Sequence, residues 1–118
     1  MEICFEGIGQ VVATFHTEDE LTPGMAVTLK DGGTVGLGDG NSPLCGVTVG
    51  AARGGAVAVQ IGGVAKAGCS GSAVPAVGYR KLACDSAGKL TQSESGGVTC
   101  LVLAVDADGD EKSVVIKL

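Results

Sequence analysis

Ala56-Val57-Ala58-Val59-Gln60-Ile61 is the stretch whose reading decides the fold. Its residues alternate, sending Val57, Val59 and Ile61 to one side and Ala56, Ala58 and Gln60 to the other, the two-residue period of a half-buried strand. Arg53-Gly54-Gly55 stands directly before it. Adjacent glycines supply the positive φ that a tight hairpin turn demands, so the stretch reads as the return arm of a hairpin. No window of the chain places apolar residues at i, i+3, i+4 and i+7 over helical length, and the frequent glycines penalise a helix almost everywhere.

Working outward, Ser113-Val114-Val115-Ile116-Lys117-Leu118 alternates in the same way, with Val114, Ile116 and Leu118 expected inward. Residues 44–49 and 98–105 are continuous apolar runs, expected to be strands buried on both faces. Residues 10–15 and 25–29 are further strands, and 79–84 is a weaker one interrupted by Arg80 and Lys81. Asp31-Gly32-Gly33, the polar glycine loop 36–42 and Asp108-Gly109 punctuate these runs as turns. The fold class is therefore all-β: a small antiparallel β-barrel or sandwich with glycine-rich hairpins, in a single domain spanning residues 1–118. Glycine accounts for 21 residues and the only aromatics are Phe5, Phe15 and Tyr79. A core of Val, Ala, Leu and Ile is thin, so part of the stability is expected from association.

A repeat runs through the chain. At an offset of 55, Cys45, Val47, Gly54, Val59 and Ile61 fall on Cys100, Val102, Gly109, Val114 and Ile116; at 54, Gly24 and Asp31 fall on Gly78 and Asp85. Each copy reads as a glycine entry, a strand, an Asp/Gly turn and a hairpin. Two such units would close one barrel about a pseudo-twofold axis.

Composition narrows function. The net charge is −5 with only 8 Lys and Arg, which lacks the basic footprint that nucleic acid or an anionic membrane requires. There is no apolar run long enough for a transmembrane helix. Met1-Glu2-Ile3-Cys4 lacks the basic start and apolar stretch of a signal peptide, which places synthesis and initial residence in the cytoplasm. Cys4, Cys45, Cys69, Cys84 and Cys100 are 41, 24, 15 and 16 residues apart, without the paired knuckles of a zinc site. An odd number in a chain without a secretion signal reads as reduced thiols, mostly buried as small hydrophobes.

Candidate chemistry is sparse. His16 is the only histidine, and Glu18, Asp19 and Glu20 lie close enough in sequence to orient it; the stretch reads as a solvated turn instead. Asp106-Ala107-Asp108-Gly109-Asp110-Glu111 starts like a calcium loop, but glycine comes fourth rather than sixth and the twelfth residue is Lys117. Gly68-Cys69-Ser70-Gly71-Ser72 approaches a nucleophile elbow but ends in serine and leads into no helix. Gly36, Gly38 and Gly40 form a glycine-rich loop that opens no helix to hold a phosphate. Lys66 is the residue a lipoyl or biotinyl carrier would modify, yet Val64-Ala65-Lys66-Ala67 lacks the flanks of those carriers. No catalytic, cofactor or metal residue is assigned, and an enzyme is not expected.

Residues 21–118 as a whole resemble a family of small tailed-phage and prophage proteins that decorate or cement capsids. The stretches carrying the resemblance are Leu44-Cys45-Gly46-Val47, the run from Arg53 through Ile61 to Gly62-Gly63, Pro75-Ala76-Val77-Gly78-Tyr79, Cys84-Asp85-Ser86-Ala87-Gly88-Lys89-Leu90, and the closing strand 113–118. The resemblance implies a β-barrel-like structural protein of the virion, assembled in the bacterial host cytoplasm. It further implies a dimer or trimer bound to the major capsid protein, with no catalytic residues. Residues 1–20 fall outside the better-matched region and would form an N-terminal arm or edge strand. The alternative from the residues themselves is a small β binding or carrier domain for sugar, peptide or an attached cofactor, with Tyr79 the one aromatic for stacking.

Overall fold

The computed structural model describes residues 10–69, 74–106 and 112–118. These contain eleven strands and no helix: β1 (Val11–His16), β2 (Ala26–Asp31), β3 (Thr34–Gly36), β4 (Ser42–Pro43), β5 (Gly46–Thr48), β6 (Ala56–Gly62), β7 (Val64–Gly68), β8 (Gly78–Cys84), β9 (Leu90–Gln92), β10 (Val98–Asp106) and β11 (Ser113–Lys117). The all-β expectation holds.

The strands form two rings. The first closes in the order β1-β3-β2-β5-β6, with β6 pairing back on β1. The second runs β9-β8-β10-β11-β7, and one parallel bridge between Cys69 and Leu90 joins its ends. The orders are the same: β1, β2, β3, β5 and β6 correspond to β7, β8, β9, β10 and β11. The counterpart of the Cys69–Leu90 bridge is the parallel pairing of His16 with Thr34 in the first ring. The turns match as well, with Gly33 at φ 74° and Gly88 at φ 75° in the β2–β3 and β8–β9 hairpins. The repeat therefore builds two rings, where the sequence reading expected both units to share one barrel. The physical reason is that each unit supplies five strands, and of these ten, β3 in the first unit and β7 and β9 in the second are too short or too alanine-rich to stand out.

Other differences are local. Val57 and Val59 face the core, but Gln60 is buried and Ile61 is 39% exposed. Opposite them the β1–β6 register shifts between Val11 and Val12, which breaks the alternation. β5 is buried throughout, but Val49 just beyond it is 40% exposed, and β10 exposes Val98 and Thr99, so neither apolar run is covered on both faces over its whole length. Val11–His16 pairs with both β6 and β3, so this part of the N-terminal region is a ring strand rather than an arm or sheet edge.

Two apolar cores result. Leu21, Val27, Val35, Val57 and Val59 fill the first ring. Leu82, Cys84, Leu90, Cys100, Val102, Val114 and Ile116 fill the second, and Ala26, Leu44 and Val47 of the first unit join them. The first ring thus turns the outside of β2 and β5 into a wall of the second core. Backbone hydrogen bonds weld the units: Ala26 N donates to Gly88 O at 2.8 Å, Gly40 N to Cys84 O at 2.9 Å, and β4 pairs with β8. A side chain on Gly38 would overlap the Cys84 carbonyl, so this loop glycine is required by close approach. The buried Gln60 amide donates to Gly62 O and Val64 O, both at 2.9 Å, across the junction.

Candidate functional site

The feature that folding alone does not account for is the outer face of the second ring. In β10 and β11, Cys100, Val102, Val114 and Ile116 point into the core. Alternation sends their neighbours outward. The register then sets Tyr79 opposite Leu101, and Leu101 opposite Lys117. One step along, Lys81 stands opposite Thr99; in the other direction Ala104, Val115 and Lys66 form a row. Cross-strand neighbours on one face lie about 5 Å apart, so these side chains form one contiguous surface.

Tyr79 is 72% exposed and Val77, beside it, is 59% exposed. Leu101 and Val115 are half-buried, and Lys66, Lys81 and Lys117 are exposed. The face is an apolar strip rimmed by three ammonium groups, with Asp106 opposite Ser113 at its far end. Its edge is held in place locally. Arg80 Nε donates to Ala76 O at 3.3 Å and Arg80 Nη2 to Val77 O at 3.2 Å, closing the chain around Gly78, whose φ of 117° suits glycine. An exposed aromatic with lysine stems beside it makes this an amphipathic surface on the sheet.

The residues singled out by sequence are placed elsewhere. His16 is exposed at the end of β1, opposite Ala56 and Thr34. Glu18, Asp19 and Glu20 follow in a loop that lines a hollow of about 550 Å³ with Leu21 and Ala52. Asp19 Oδ2 accepts a hydrogen bond from Leu37 N at 3.0 Å, which gives that carboxylate a structural task. Gly36 ends β3, and Gly38 and Gly40 belong to the loop welded to the second unit. In that loop Asp39 accepts from Asn41 N and Ser42 Oγ, both at 2.9 Å, and these bonds hold its pKa below the ordinary value. Lys66 lies in the middle of β7, not on the hairpin tip that a carrier domain would use. The calcium-like stretch from Asp106 and the elbow-like stretch after Cys69 lie largely outside the described residues. Among the described residues, no group of three His, Cys, Asp or Glu could hold a metal ion.

Cys45, Cys69, Cys84 and Cys100 are free thiols, and all but Cys45 are buried. Burial pushes each thiol pKa up; for Cys84, burial and then the neighbouring Asp85 and Cys45 raise it to about 12. Such thiols are poor nucleophiles, because the thiolate is the reactive form.

Sequence reading found Tyr79 and Lys66 separately and did not join them. The signal was present as the alternation of Tyr79 and Lys81 with the inward Leu82 nearby. Pairing that alternation with Leu101 and Lys117 required the strand order. Comparison of the chain with protein-family models and with curated protein sequences gave no match.

Proposed function

We propose that this protein is a structural component of a phage or prophage virion, coating and stabilising the capsid by self-association and by contact with the major capsid protein. On this reading it carries out no catalysis and acts in the virion after assembly in the host cytoplasm. The observation that carries the reading is where the family-like stretches fall. They supply the lead into β5, the β6 hairpin, the entry to β8 around Gly78, the β8–β9 turn and β11. The resemblance therefore runs through the frame of both rings rather than through one common hairpin. A welded double ring with an exposed apolar and cationic face suits a part that is placed on a surface and stays there.

The test is co-sedimentation of the purified protein with phage heads stripped of their decoration. Saturable binding, and heads that resist heating better when coated, are expected. Absence of binding at tens of micromolar protein would overturn the reading.

The exposure of Tyr79 beside Thr99 and Lys81 favours one second reading, a small binding domain in which the phenol ring stacks on a sugar or peptide. The chain has one tyrosine and no tryptophan, so its intrinsic emission reports on this position alone. A saturable change in that emission on adding a glycan or peptide, with no binding to heads, would select this alternative.

A further inference from the structure

We draw no further inference here: the strongest candidate, the hollow beside β7 and β11 where Lys66, Lys89 and Lys112 converge, is bordered by Asp106 and Lys112, and nothing in the structure shows what faces its lysines, because residues 107–111 between those two lie outside the described residues.

Discussion

The two rings have the same strand order but close by different means. The first is hydrogen-bonded all the way round and encloses a small core of Leu21 and four valines. Among the described residues the ends of the second meet at the Cys69–Leu90 bridge, and its core is completed by Ala26, Leu44 and Val47 from the first unit. In a chain whose two halves share one strand order, one half has thus become the support of the other. The order of a ring comes from its turns and pairings; what covers the ring comes from its outer faces, and there the two halves differ.

The sharpest break in this comparison lies in the second core. Leu82 is 0% exposed in the cluster to which both units contribute, so Leu82→Ala is expected to cost about 2–5 kcal/mol by chemical denaturation. Leu29→Ala, at a position of the first ring that is 55% exposed, is expected to change stability by less than about 0.5 kcal/mol. Similar losses for the two would mean that Leu29 is covered in solution.

Next in size is the weld. Gly38→Ala forces a methyl group against the Cys84 carbonyl, at an expected cost of about 1–3 kcal/mol. If the second ring leans on the first, amide exchange in this variant accelerates across β8 to β11 before it does in β1 or β6. Gln60→Ala leaves the Val64 and Gly62 carbonyls without their donor, for a loss of about 1–3 kcal/mol.

Smaller still is the effect of the thiols. The Cys84 pKa is raised from 9.0 to about 12 in the folded chain, so the native state holds a proton that the unfolded state releases. Its contribution to stability is complete below pH 9 and is lost as pH rises towards 12. The Cys84→Ser variant is expected to flatten the fall of stability over that range in alkaline denaturation curves. At neutral pH, Cys45 is expected to react with a thiol reagent first, since it alone among the described cysteines is not buried.

The strands that were legible in the sequence are those whose alternation is strong. Val57 and Val59 in β6, and Val114 and Ile116 in β11, face the core as their period requires. β7 and β9 were missed because Val64–Gly68 has alanines at two of its inward positions and Leu90–Gln92 is three residues long. The repeated order was visible as an offset of matched residues, but not the number of rings, because closure depends on pairings such as His16 with Thr34 that join short, unremarkable segments. Tyr79 was visible as a lone aromatic. Its setting among Leu101, Lys117 and Lys81 was not, because three strands distant in sequence must first be placed side by side.

The most direct test of the central claim, that this protein coats and stabilises a phage head, is co-sedimentation with heads stripped of their decoration. Saturable binding is expected, with coated heads outlasting bare ones on heating. Absence of binding at tens of micromolar protein would contradict the claim.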